Sequence, residues 1–297
     1  MSAGPVGGPW ESPLYVDHPL VGRIWDVHAR RFATEAELLA DLGQASYVLI
    51  GEKHDSPDHH RLQARIVTAL KPSACVFEML DHADPIADAT DAASLAAAAD
   101  WEKSGWPEFS LYAPVFDACY GAGASVRAGH PTRDEVKIAM MQGMAALPPE
   151  FVADLPLSVT LNEAQRAQLG DEIVESHCGH ATPELVEMMI VGQTLKDAYM
   201  ARSLVASGER AVLIAGTGHT RPDHGVPIYL EPASRSVRLI EVSADDADPV
   251  TYGDDGSDWL WFTPRLDDTD PCEVFAEQLK KLGPVEPVAP APQEPPK

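Results

Sequence analysis

The stretch YVLIGEKHDSPDHHRLQARIVTALKPSACVFEML, residues 47–80, decides the fold class. Residues 47–50 are a short apolar run of β-formers stopped by Gly51, the pattern of a buried strand. Ser56 followed by Pro57 is a helix start, with a capping hydroxyl and a residue preset for the first turn. Leu62, Ile66 and Ala69 then recur at helical spacing until Pro72. Residues 75–77 are a second buried strand that runs directly into Glu78. Strand, helix, strand in this order predicts a parallel βαβ unit.

Upstream, residues 24–27 read as a short strand and 34–42 as a helix, with Thr34 as its cap, Glu37 three residues on and Gly43 past its end. Downstream, residues 81–110 read as helical, 114–120 as a further helix and 125–128 as a third strand ending at Gly129 and His130. A broken helical region follows over 134–176. Pro183 then opens a long helix to 205, with Leu185, Met188, Met189, Gly192, Leu195, Ala198 and Tyr199 near one face. Residues 211–215 are the clearest buried strand, and 227–230 with 237–242 are expected to close the sheet as a strand pair. The fold expected is α/β: a mixed, largely parallel central sheet flanked by helices, with a helical cap. Residues 1–20 read as a loose N-terminal arm, 21–282 as the α/β domain and 283–297 as a Pro-rich disordered tail.

The chain has 297 residues, 45% of them hydrophobic, enough for one large core. Its net charge of −24 repels phosphate backbones and anionic lipid, which argues against nucleic acid as a partner. No run of about 18 apolar residues occurs, so no membrane span is expected. The first residues show neither a basic n-region nor an apolar h-region. Cys75, Cys119, Cys178 and Cys272 have no CxxC spacing; neither a zinc knuckle nor a disulfide framework is expected, and Cys75 reads as a core residue. A reduced, cytoplasmic protein is the resulting expectation.

Three predicted strands lead into ionisable residues: 47–50 into Glu52 and His54, 75–77 into Glu78, and 211–215 into His219. Sites in α/β sheets lie beyond the carboxyl ends of the strands, so these four are expected to share one crevice. There they can bind a divalent transition metal or act as general acid and base. Gly51, Gly216 and Gly218 are expected to let the backbone turn tightly against it. Asp58, His59, His60 and Arg61 fall in the first turn of a helix, where neighbours point apart. At most two of them reach the crevice, and a solvated helix start is an equal expectation. His177 is a candidate ligand, with a plain loop histidine as the alternative. No G-x-S-x-G elbow is present, which argues against a serine-hydrolase triad.

Five stretches, VLIGEKHDSPDHHRLQ (48–63), VFEML (76–80), SGWPEFSLYAPVF (104–116), SHCG (176–179) and LIAGTGHTRPDHGVPIYL (213–230), resemble the haem-binding uptake proteins of the ChaN type. That family shares a superfamily with the Tiki metalloproteases and erythromycin esterases. The likeness covers residues 45–245 in the same order, with the helical cap expected over 81–110 and 134–180. It implies that Glu52, His54, Glu78 and His219 occupy the superfamily's site positions. It further implies haem or iron as the ligand, with haem held between the subunits of a homodimer. His54, His219, His177 and Tyr199 are then the candidate haem contacts, and Tyr112 and Tyr229 further candidate phenol ligands. Hydrolytic relatives imply the alternative, a metal-dependent hydrolase of peptide or ester bonds using Glu52, His54, Glu78 and His219. Two departures stand out: Thr217 replaces the usual asparagine in GTGH, and His130 follows Gly129 where asparagine is expected. The lipoprotein signal of exported members is not seen, in keeping with the cytoplasmic expectation.

Overall fold

The computed structural model describes residues 6–208, 210–231, 234–253 and 256–280. The Pro-rich tail expected over 283–297 lies outside the described residues. The strands are β1 (Ile24–Asp26), β2 (Arg31–Ala33), β3 (Tyr47–Glu52), β4 (Ala74–Asp81), β5 (Ser125–His130), β6 (Ala211–Gly216), β7 (Ser234–Glu241) and β8 (Trp259–Thr263). They form one sheet in the order β2-β1-β8-β7-β3-β6-β4-β5. The six strands from β8 to β5 run parallel, and β1 joins antiparallel to β2 and β8 at one edge. The sheet is mixed and largely parallel, as the 47–80 stretch led one to expect.

The helices are α1 (Glu35–Leu42), α2 (Pro57–Leu70), α3 (Ala92–Ala98), α4 (Trp101–Ser104), α5 (Phe109–Gly121), α6 (Arg133–Gln142), α7 (Pro149–Val152), α8 (Glu163–Ser176) and α9 (Pro183–Ala206), with short α10 (Pro271–Val274) and α11 (Ala276–Leu279) at the end. A parallel strand must be covered on both sides, so its apolar residues serve two cores in alternation. Val48 and Ile50 of β3 pack with Leu62 and Ile66 of α2 and with Val115 and Phe116 of α5. Leu49 faces the other way, into a core with Leu213 of β6 and Ala198, Ala201 and Leu204 of α9. The cap is built on α9: Leu195 and Tyr199 pack with Ala139 of α6, and Ile190 packs with Leu169 and Ile173 of α8.

Three expectations are corrected. Residues 226–229 form a 3₁₀ turn rather than a strand, and the partner of β7 on that side is β8. Pro227 at the start of the turn leaves Tyr229 and Leu230 to pack on α9 without a ladder. The described part of the N-terminal arm is fastened rather than loose: Asp58 accepts hydrogen bonds from the Glu11 and Ser12 backbone at 3.0 and 2.9 Å, and Trp10 packs on the core. The cysteines pair, Cys75 with Cys119 and Cys178 with Cys272. These partners lie 44 and 94 residues apart, so no local spacing announces them. No helix among the described residues is long and apolar enough to cross a membrane.

Candidate functional site

The strand order explains why residues far apart in sequence meet. β3 and β4 are consecutive in the chain, yet β6 lies between them. Glu52 ends β3 opposite Gly216 at the end of β6, while β4 runs on past its pairing with β6, which stops at Phe77 and Ile214. Glu78 therefore leans over the end of β6 and accepts the Gly216 N–H at 2.8 Å through Oε2. Two glycines are required here by close approach rather than by a turn. A Cβ on Gly51 would sit 2.4 Å from Thr220 Oγ1, and one on Gly216 would sit 2.8 Å from His54 Nε2. Gly218 faces open space, and no such constraint applies to it.

Glu52 is buried and fully engaged. Its Oε1 accepts from His54 Nδ1 and the Tyr112 hydroxyl, both at 2.9 Å. Its Oε2 accepts from Gln63 Nε2 at 2.6 Å and faces His60 Nδ1 at 3.1 Å. His60 Nε2 lies 3.0 Å from the His54 carbonyl, which can only accept, so the ring donates from both nitrogens and is cationic. Burial alone would raise the Glu52 carboxyl, but His60 and His54 outweigh it and bring it down to about 2.

A second half mirrors the first. His219 Nε2 lies 3.0 Å from Glu78 Oε1, and Nδ1 lies 2.5 Å from Asp197 Oδ1 on α9. Burial opposes charge on this ring, but Glu78 and Asp197 raise it to about 9. The Glu78 carboxyl, despite burial, is held well below the usual range by His219 and then His54. Burial pushes Asp197 up. His54 Nε2 lies 3.7 Å from Glu78 Oε2 and joins the halves. The result is a row of alternating carboxylates and imidazoles, Glu52–His54–Glu78–His219–Asp197, hydrogen-bonded within each half and approached to 3.7 Å between the halves.

Glu52, His54, Glu78 and His219 are thus brought together, as expected. Among the described residues no group of three or more His, Cys, Asp or Glu is placed to hold a metal ion. The 58–61 run is corrected as well, since Asp58, His59 and His60 are all buried. His60 reaches Glu52, whereas His59 accepts the Lys53 N–H at 2.9 Å and lies 3.1 Å from Thr263 Oγ1. Burial keeps His59 neutral, with its pKa down to about 3. Tyr112 serves Glu52, and the burial and negative neighbours that raise its pKa keep it a phenol.

Two clefts adjoin the network and share Val136 and Lys196. The first, about 550 Å³, is lined by Glu78, Trp106 and His130 together with Asp81, Asp84 and Asp100. The second, about 460 Å³, is lined by Val136, Met140, Leu169, Ile173, Met189 and Gly192, with Ser176, His177, His224, Gln193, Lys196 and Glu172 as its polar members, the Glu172 carboxylate being paired with Arg221 and His224. His177 caps α8 and donates from Nδ1 to the Ile173 carbonyl at 2.7 Å, so a neutral ring keeps its lone pair on Nε2. His130 makes the same kind of bond to the Pro131 carbonyl, and burial, then Lys196, lower its pKa to about 4. His224 is buried, faces Glu172 through Nε2 at 3.1 Å, and has no partner for Nδ1.

Tyr199 is not part of either cleft. Its ring packs against both His82 and Phe151, at 5.6 and 5.8 Å, beneath Arg202. The sequence reading of α9 covers only its apolar face and does not single out Asp197, Gln193 or Lys196. The discoverable signal was the i,i+4 pair Gln193 and Asp197, both of which meet His219.

Fold and site define an α/β protein with a buried acid–imidazole chain and an open crevice beyond the carboxyl ends of its parallel strands. The chain belongs to the family described as haem-binding uptake, Tiki superfamily, ChaN, whose model matches residues 38–230. The structure is similar to one titled cofacial heme binding to ChaN of Campylobacter jejuni, with 24% sequence identity, 80% of this chain and 95% of that chain covered, and a TM-score of 0.63. The type III effector HopBA1 aligns at 12% identity over 77% of this chain and 92% of that one, with a TM-score of 0.42. Among curated proteins, none matches the chain.

Proposed function

We propose that this protein binds haem in the second cleft, with His177 as the donor to iron. The observation that carries this reading is the pairing of a fixed imidazole with an apolar wall. Ile173 holds the Nδ1 proton of His177, leaving Nε2 as the lone pair, and the ring lines the same cleft as Met140, Met189 and Leu169. A histidine nitrogen set by a backbone carbonyl is a donor suited to haem iron. The cleft volume falls in the range of small-molecule sites, and the orphaned His224 Nδ1 is a buried polar atom that a ligand can satisfy. Bound haem would supply an iron centre; the chain supplies the imidazole, the apolar bed and the polar end.

The other three candidate contacts fit less well. His219 has a carboxylate on each nitrogen, His54 is turned toward Glu52 and Glu78, and Tyr199 packs elsewhere. The test is a haem titration followed at the Soret band. His177→Ala is expected to weaken binding at least tenfold and to shift the band, while His219→Gln keeps the wild-type spectrum. An unchanged band and affinity in His177→Ala would refute the assignment.

A further inference from the structure

Lys196 projects from α9 at the seam of the two clefts and lines both. Among the described residues it has no carboxylate within ion-pair distance, although Glu78 and Asp197 both feel its charge. Those two carboxylates are already engaged. Glu78 takes His219 on one oxygen and the Gly216 N–H on the other, and Asp197 takes His219. The other cations of the first cleft are committed as well: Lys103 pairs with Asp100 at 2.8 Å, and Arg133 donates to the Ser104 carbonyl. In a chain with a net charge of −24, an anionic ligand meets repulsion nearly everywhere else.

We propose that Lys196 is the anion anchor of the crevice: its ammonium receives the carboxylate of a ligand whose apolar body lies among Met140, Leu169 and Met189. This rests on the haem-binding reading and deepens it, since it names the chemical class as an apolar ring system bearing a carboxylate. The His224 nitrogen in the same cleft is a second group left for the ligand's polar edge.

Metal-free protoporphyrin IX and its dimethyl ester separate this claim from iron ligation, because neither carries iron. Fluorescence titration of the wild type is expected to favour the free diacid by about tenfold or more, the range of a charge-assisted hydrogen bond. Lys196→Met should bring the diacid down to the ester's affinity and leave the ester unchanged, while Lys196→Arg keeps the preference. Methionine preserves helix propensity, and a matching melting temperature checks the fold. Lys196→Met that still prefers the diacid overturns the anchor. Diacid binding without haem binding keeps the anchor and overturns His177 as the iron donor. If neither porphyrin binds the wild type, the anchor falls, and the haem titration of the wild type and His177→Ala decides the iron donor separately.

Discussion

The acid–imidazole chain and the cleft beside it share α9 and yet are built on opposite terms. In the chain, each carboxylate faces an imidazole and each imidazole a carboxylate, from Glu52 through His54, Glu78 and His219 to Asp197. In the cleft, His177 keeps a nitrogen free of the backbone, His224 has a buried nitrogen with no partner, and Lys196 has no carboxylate against it among the described residues. Groups that satisfy each other shape and stabilise a fold, because a buried charge is tolerable when paired. Groups left over are where a ligand adds most, because it meets a need the protein leaves open. Perturbed ionisation alone would have pointed to the chain as the ligand site; the census of partners points next door.

The comparison breaks most readily at Glu52. Glu52→Ala strips His60 and Gln63 of their shared acceptor and leaves the buried Tyr112 hydroxyl facing no carboxylate. A loss of about 3–5 kcal/mol of stability is expected, the range for removing one partner from a buried ionic network. His177→Ala, at the end of α8 and only partly buried, should change stability by no more than about 0.5 kcal/mol. Urea unfolding of both variants is the measurement. Equal losses would erase the distinction between a structural chain and a ligand-receiving cleft.

A smaller effect comes from pH. In the folded state His219 titrates near 9, above its ordinary 6.5. Its protonation stabilises the fold fully below pH 6.5, and this contribution disappears as pH rises through about 9. Its size is on the order of 3 kcal/mol. The urea midpoint should therefore fall across that window. Asp197→Asn removes one of the two carboxylates that raise the ring, so the upper edge of the window should move to lower pH. A midpoint flat from pH 6 to 9 in the wild type would mean that the ring is not held as a cation.

Half of this arrangement was legible in the sequence. The carboxyl ends of β3, β4 and β6 could be read because strands covered on both faces are continuous apolar runs, and a polar residue at their end stands out. The family resemblance placed the same four residues. What could not be read is what the helices bring. Asp197 lies on a helix whose other buried members are apolar, and only the strand order puts it under His219. A solvated helix start was an equal reading of His60 because nothing local says that Tyr112 of α5 will pack on its ring or that the Glu11 and Ser12 backbone will close over Asp58. β8 is the strand the sequence reading leaves out, though Trp259, Leu260, Trp261 and Phe262 are all buried. The disulfide partners are joined by topology and by nothing in their spacing.

The finest test concerns Tyr199, which the sequence offered as a haem contact and the structure sets apart. Its ring belongs to a cluster with His82 and Phe151, about two turns further along α9 than Gly192 of the cleft that holds His177. Tyr199→Phe keeps the ring and deletes only the hydroxyl, so packing should survive with less than about 0.5 kcal/mol lost. The haem titration should then agree with the wild type within twofold, with the Soret maximum unmoved. A phenolate ligand would behave otherwise: its loss shifts the band and weakens binding by at least the tenfold expected of His177→Ala. Since α9 carries both Tyr199 and Lys196, Tyr199→Phe also shows whether the cleft depends on the whole helix or only on the residues that face it.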